Sequence, residues 1–409
     1  MTHSGFIAHF SIIQDTRQLG KVRHPLISIF FIAVAATIAD CDDWDEVELW
    51  ANEKKEWLEK FVPLPEGIPS VSTFQRVFQM INSKQFEKCF VTWAKDLVED
   101  MNRRNVAIDG KTARGAKLAA GEKSAIHIVS AYLCEQGLTL GEVKTKEKSN
   151  EMKTIPELLR LLDIMGAIVT IDAAGTYADI ASQIVKENKA DYVLALKGNQ
   201  PHMYRDVALQ FTGIDVDKWR NPSSMISDAA IRIRDWIADG KPMEESPAFI
   251  NSEYQTTFTT NKGHGRIERR DYFLINDISW MRRSEEWVGL KSVGMAVTTA
   301  TNVKTGITTT DARFFICSVD NVTSFANAVR SHWGIESNHW TLDLTFGEDK
   351  SRIRKDREPQ NVATIRRLAL NFLKVEQKKG TRKITKPKMR KLAMMRDDYL
   401  ERIMVGNLM

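Results

Sequence analysis

The chain has 409 residues, 43% hydrophobic and 27% charged, the balance of a globular protein with room for two or three domains. Its 58 Lys and Arg exceed 53 Asp and Glu by a net charge of +5, too small an excess to argue for nucleic acid by itself. The longest apolar run, Leu26 to Ala39, is too short to span a bilayer, and no small-residue cleavage site follows it. Cys41, Cys89, Cys134 and Cys317 lack metal-type spacing, which argues against zinc and for free thiols in a reducing cytoplasm.

Residues 1–102 read as a helical domain. Leu26 to Trp50 gives one long or broken helix and Asn52 to Phe61 another, ended by the Pro63-Leu64-Pro65-Glu66-Gly67-Ile68-Pro69 break. Ser70 is then expected to cap a helix with Phe74, Val77, Phe78 and Ile81 at i, i+3, i+4, i+7. Arg76 on its outer face would suit a DNA-reading helix, but an amphipathic bundle helix explains the same letters and is preferred.

From Asn105 the texture changes. Strand-like runs at 105–109, 125–134 and 138–145 precede a helix at about 151–163, with Pro156 in its first turn. A strand at 167–172, a helix at 176–187 and a strand at 191–196 follow. This order predicts a mixed α/β sheet in which the first and fourth strands lie side by side. Strand-like runs from Tyr254 to Thr260, Ile267 to Ile275 and Ser292 to Thr299 suggest an inserted, mostly β subdomain over 201–311. The core then spans 103–200 and 312–370, leaving a basic segment at 371–409. From Lys374 to Arg396 that end of the chain carries ten Lys and Arg against the single acid Glu376. Such a cluster follows phosphate backbones, although a solvated helix face explains it equally well.

Three acids stand out. Asp109 ends the first strand run and Asp172 the fourth. Glu336 shares a stripe with Phe325, Val329, Trp333 and Trp340, spaced 4, 4, 3 and 4, so it should face where the aromatics face. An unpaired buried carboxylate is costly, and three converging carboxylates repel unless cations lie between them. Oxygen-only ligands suit Mg2+ or Mn2+, and a pair of such ions is a standard device for displacement at phosphorus. The bland alternative is a turn-forming aspartate at each strand end, with Asp109-Gly110 as a hairpin turn.

The words around these acids carry a resemblance. They are Ala107-Ile108-Asp109-Gly110-Lys111-Thr112, Glu147-Lys148-Ser149-Asn150-Glu151, Ile171-Asp172-Ala173, Leu196-Lys197-Gly198-Asn199-Gln200, His264-Gly265-Arg266-Ile267-Glu268, His332-Trp333-Gly334-Ile335-Glu336 and Phe346-Gly347-Glu348-Asp349. In this order, over about residues 20 to 370, they resemble the insertion-sequence DDE transposases of the H-repeat-associated type. The resemblance implies an RNase H-like core, interrupted before its last acidic helix, with Asp109, Asp172 and Glu336 as catalytic residues and ligands of two Mg2+ or Mn2+ ions. It also implies double-stranded DNA as partner and a homodimer on that DNA.

Two departures from the family pattern stand out. Tyr177 occupies a position where Gln is usual, and only Ser337 and Asn338 separate Glu336 from His339 where three residues are usual. One missing residue turns a helix by about 100°, so Trp340, Leu344 and Phe346 are expected either to have lost their pockets or to pack through a local adaptation.

Lys197, Arg266, Arg270, Lys386, Lys388, Arg390 and Lys391 are the candidate DNA-binding cations, with His264 and Arg269 beside them on the insertion. Salt bridges to Glu268 and Asp271 are the alternative for the strand arginines. Glu348 and Asp349 are rivals for the third acid, expected on the solvated side of a helix end. His332 reads as a packing residue. The leading function is metal-dependent cleavage and strand transfer at transposon ends in the cytoplasm, on the nucleoid. A non-catalytic DNA-binding derivative is the alternative; a paired-carboxylate glycosidase fits the basic cluster poorly.

Overall fold

The computed structural model describes residues 3–98, 100–113, 126–145, 151–214, 223–240, 253–263, 265–380 and 384–406. The expectations for His264, Arg382, Lys383 and residues 147–150 lie outside them. The fold is mixed α/β with a helical N-terminal region. The chain divides into two compact units, Met1–Asp100 with Asp109–Asp163 and Gly334–Met409, and Met101–Ile108 with Ile164–Trp333.

The first unit begins with α1 (His3–Phe10), α2 (Leu26–Ile38), α3 (Trp44–Glu53), α4 (Lys55–Leu58), α5 (Val71–Met80) and α6 (Ser83–Lys95). The expected helix from Leu26 to Trp50 is broken. Asp40 takes a left-handed φ of 72°, and Asp43 restarts the chain as an N-cap, accepting from the Glu46 amide at 2.9 Å. Ser70 stands at the N-cap of α5 but makes no side-chain cap bond; its hydroxyl meets Ser72 and Thr73 instead, each at 3.1 Å. Phe74, Val77 and Phe78 are buried as the periodicity predicts, and Trp44 stacks on Phe74 and Phe78 at 5.3 and 4.8 Å. The aromatic core continues into α12 (Glu358–Lys379), α13 (Lys386–Met395) and α14 (Asp397–Met404).

Two antiparallel strands, β2 (Ile126–Leu133) and β3 (Leu138–Thr145), turn at Gly137 and extend the order β3–β2–β1. β3 is covered by α6, α7 (Glu151–Leu161) and α12, so nearly every β3 side chain is buried. Pro156 falls in the second turn of α7 rather than its first.

β1 runs Asn105–Ala113 and its two halves belong to different units. In the second unit it pairs in parallel with β4 (Ile168–Ile171), Ile108 opposite Ile171, and β4 pairs in parallel with β5 (Asp191–Leu196). The first and fourth strands are therefore neighbours, as the element order predicted. β5 is followed by β9 (Thr308–Cys317), β8 (Ser292–Asn302), β7 (Arg266–Ile275) and β6 (Tyr254–Gly263), all antiparallel. The strands of region 201–311 thus continue one sheet through β9. The same region holds two helices that the periodicity did not single out, α9 (Pro201–Thr212) and α10 (Ser223–Ala238), besides α8 (Ala178–Lys186) before it.

α11 (Val322–Thr345) is one unbroken 24-residue helix. Its first half packs Phe325, Ala326 and Ala328 on the strand core of the second unit, and its last half sends Leu342 into the core of the first. Among the described residues no helix is long and apolar enough to cross a membrane, and all four cysteines are free.

Candidate active site

Asp109 lies inside β1, which continues to Ala113, so the hairpin-turn alternative for Asp109-Gly110 does not hold. The pairing of β1 with β4 stops at Ile108 and Ile171, and each of these residues is followed in the chain by an aspartate. Asp109 is partly exposed; its Oδ2 lies 3.5 Å from His339 Nδ1. Burial, reinforced by Arg367 and Lys111, lowers the His339 pKa to about 3, so at neutral pH the imidazole brings no positive charge to Asp109.

Gly110 has no room for a side chain. A Cβ there would stand 2.4 Å from His127 Nε2 and 2.5 Å from Glu151 Oε1. Those two groups form a close pair at 2.5 Å, and His127 Nδ1 meets the Thr112 hydroxyl at 2.8 Å. Glu151 closes the Glu147–Glu151 word, so the strand after Asp109 is braced by a residue from that motif.

Asp172 is exposed just past β4 and caps a short 3-10 turn, accepting from the Gly175 amide at 3.3 Å. Thr176, fully buried, donates to the Ala195 carbonyl at 2.8 Å and binds the end of β4 to the end of β5. Gln200 donates to the Thr176 carbonyl at 3.0 Å and Asn199 donates to the Ala173 carbonyl. The Lys197–Gln200 word therefore clamps the loop that carries Asp172. Tyr177 supplies no side-chain cap to α8. Lys197 itself is exposed just beyond β5, at the sheet edge where Asp172 follows β4.

Glu336 is exposed on α11, and here the helical stripe misled. Trp333, Trp340 and Leu344 are 44%, 64% and 63% exposed. The buried stripe is Ile335, Asn338, His339, Leu342 and Phe346. Two polar residues face inward because each has a partner. Asn338 donates to the Thr139 hydroxyl at 3.4 Å and accepts from Lys374, and His339 meets Asp109. The two-residue spacing after Glu336 is thus absorbed with neither a 3-10 turn nor a loop; Phe346 is in the core and Trp340 and Leu344 are outside it. Gly334, two residues before Glu336, lets the helix approach Tyr132, whose ring a Cβ would meet at 3.0 Å. His332 is the packing residue expected: Thr170 of β4 meets its Nδ1 at 2.8 Å, and burial lowers its pKa to about 4.

Glu348 is not solvated. It is 2% exposed and held between Lys111 at 2.6 Å and Arg367 at 2.7 Å. Burial alone would raise its pKa, but Arg367 and Lys111 outweigh it and leave Glu348 ionised. Arg366 and Arg367 were missed, although a charged pair inside the apolar run Val362–Leu373 signals buried partners.

Among the candidate cations, Arg390 corrects the expectation. It is wholly buried, donates to the Thr37 carbonyl at 3.0 Å, pairs with Asp40 and Asp42 at 3.0 and 2.7 Å, and lies over Phe346. It holds α2, the end of α11 and α13 together. Lys386 is half-buried against Gln377, and burial pushes the pKa of Lys374 well down. Lys388, Lys391, Lys197 and Arg266 are exposed. Arg270 pairs with Glu268 at 2.5 Å and Arg269 with Asp271 at 2.8 Å, the strand salt bridges posed as the alternative.

Among the described residues no three His, Cys, Asp or Glu side chains form a ready-made metal cluster. The donors themselves are carboxylate oxygens, which suit hard divalent ions.

Comparison with known proteins identifies the family. Residues 101–372 match the family model described as Transposase DDE domain, and residues 7–94 match its associated N-terminal model, DDE_Tnp_1-associated. The chain belongs to the DDE transposase family. The "Putative transposase YncI" of Escherichia coli O157:H7 is 37% identical over 91% of this chain and 88% of its own length. The "H repeat-associated putative transposase YhhI" of Escherichia coli K12 is 32% identical over 98% and 97%. A shorter match, 32% identical over 17% of this chain and 82% of its own length, is named "Inactive transposase YbfQ", also from K12.

Proposed function

We propose that this chain cuts DNA at the ends of an insertion sequence and joins them to a target, with Asp109, Asp172 and Glu336 holding two Mg2+ or Mn2+ ions. The observation that carries the reading is the parallel pair Ile108 and Ile171, each followed by an aspartate, within the stretch that matches a transposase DDE domain. Asp109, Asp172 and Glu336 are the residues that would hold the ions. Bound ions would supply an activated water and offset charge on the phosphodiester. The protein's own part is to hold these carboxylates: His339 and Lys111 restrain the face of β1 that carries Asp109, Gly175 and the Asn199–Gln200 clamp restrain Asp172, and the helix restrains Glu336. The leaving group of the first cut is a 3′-hydroxyl, which then serves as nucleophile on target DNA. Exposed Lys197, Arg266, Lys388 and Lys391 suit phosphate contacts that position the duplex; Lys386 and Arg270 would first have to leave Gln377 and Glu268. Two copies on paired ends are the expected working form.

The test is Mg2+-dependent nicking of a plasmid carrying the DNA that flanks the gene. Cuts at inverted repeats that require all three acids support the reading. DNA binding without any cleavage in Mg2+ or Mn2+ would instead make the protein a non-catalytic derivative.

A further inference from the structure

Asp109 and Lys111 are two residues apart on β1, and the two-residue period of a strand turns both side chains to one face. On that face they meet α11. Asp109 Oδ2 is 3.5 Å from His339 Nδ1, and Lys111 Nζ is 2.5 Å from Asp343 Oδ1. His339 and Asp343 are one helical turn apart, and Glu336 precedes Asp343 by seven residues on nearly the same stripe. One turn of helix and two residues of strand both advance about 6 Å. The Lys111–Asp343 contact therefore ties this part of α11 to β1, with His339 beside Asp109 one turn away.

Lys111 does more than meet Asp343. Its ammonium also donates to Glu348 Oε2 at 2.6 Å; Glu348 Oε1 accepts from Arg367 at 2.7 Å, and Arg367 Nε lies 2.5 Å from Glu142 Oε2. Glu142, on β3, accepts from the Thr364 hydroxyl of α12 at 2.6 Å. Lys111, Glu348, Arg367 and Glu142 are 8%, 2%, 0% and 1% exposed. The charges alternate, two cations with two anions, which is how buried ions are tolerated. An apolar contact would pack as well but would not set a register, because it lacks direction.

We propose that Lys111 is a positioning residue for strand cleavage: its ammonium anchors the strand bearing Asp109 to the far end of the helix bearing Glu336, and so sets the placement of both carboxylates. The inference rests on the proposed function and adds to it a residue that touches neither DNA nor the reacting atoms.

The experiment compares wild type, Lys111→Met and Glu348→Gln in the full chain, at a temperature where circular dichroism reports each folded. Cleavage is followed on flanking-sequence DNA, and Mn2+ binding without DNA by the loss of free-ion resonance. Both variants are expected to lose kcat by about 100-fold, the scale of an ångström of misplacement, with KM for DNA nearly unchanged and Mn2+ affinity weakened. A folded Lys111→Met with wild-type kcat and Mn2+ affinity overturns the proposal. If Lys111→Met does not fold, Glu348→Gln decides, since it removes the anion that holds the Lys111 ammonium beyond the end of α11: loss of kcat and Mn2+ affinity in the folded variant supports positioning, while wild-type behaviour or unfolding reduces the ion chain to a stability element. A wild type that neither binds Mn2+ nor cuts DNA removes the proposed function, and with it the reaction that Lys111 would serve.

Discussion

Ile108 of β1 and Ile171 of β4 are partners on parallel strands, both buried, and each is followed by an aspartate. The partners before them, Ala107 with Thr170 and Val106 with Val169, are buried as well, so this strand pair is covered on both faces. The two aspartates follow where this pairing stops.

The spacing after Glu336 gives a first prediction. Inserting one residue between Asn338 and His339 turns the rest of α11 by about 100°. His339, Leu342 and Asp343 would leave their partners, and Thr341 and Thr345 would turn toward core positions. The insertion should lower stability by on the order of 3 kcal/mol or more and reduce Mn2+ binding, as measured by thermal melting and ion titration. A gain in both would mean that this chain is a damaged copy of a longer-spaced form.

Much of this was legible in the sequence, and the failures have causes. The strand and helix order, the neighbouring first and fourth strands, and the buried face of α5 followed from periodicity, because apolar residues there have no rivals for the core. The face of α11 did not. Asn338 and His339 are polar yet buried, with partners on β3, α12 and β1 that lie far away in sequence, so the exposed Trp333 and Trp340 looked like the better core. Glu348 and Arg390 were misplaced for the same reason: a charged residue reads as solvated unless its partner is known, and their partners lie on other elements.

Glu87 predicts a pH dependence. Burial, with Glu142 adding to it, raises its pKa from 4.5 to about 8. The unfolded chain ionises near 4.5 while the folded one keeps the proton, so stability present below pH 4.5 is lost as pH rises to about 8. Glu87→Gln, which keeps a hydrogen-bonding group for Gln360, should raise the melting temperature more at pH 8 than at pH 5. An equal change at both pH values would show that Glu87 is ionised in the folded protein.

The basic C-terminal segment divides into two kinds of cation. Replacing the exposed Lys388 and Lys391 with Gln should leave melting unchanged and make the slope of DNA affinity against salt shallower, by roughly 0.9 for each phosphate no longer neutralised. Arg390→Met should cost roughly 2–4 kcal/mol, because Asp40, Asp42 and the Thr37 carbonyl lose their donor. A reversed outcome, with Arg390 governing the salt slope and the lysines governing melting, would contradict the placement of these side chains. Ending the chain near Leu373 is a poorer test, since Met389, Leu400 and Ile403 belong to the helical core.

Asp109, Asp172 and Glu336 are proposed to act together on metal and DNA. The most direct measurement is cleavage of flanking-sequence DNA by Asp109→Asn, Asp172→Asn and Glu336→Gln, alongside the affinity of each variant for the same DNA. Two-ion chemistry needs every ligand, so each variant should bind DNA about as well as wild type and cut at least about 100-fold more slowly. Wild-type cutting by Glu336→Gln would remove Glu336 from the reaction and contradict the account.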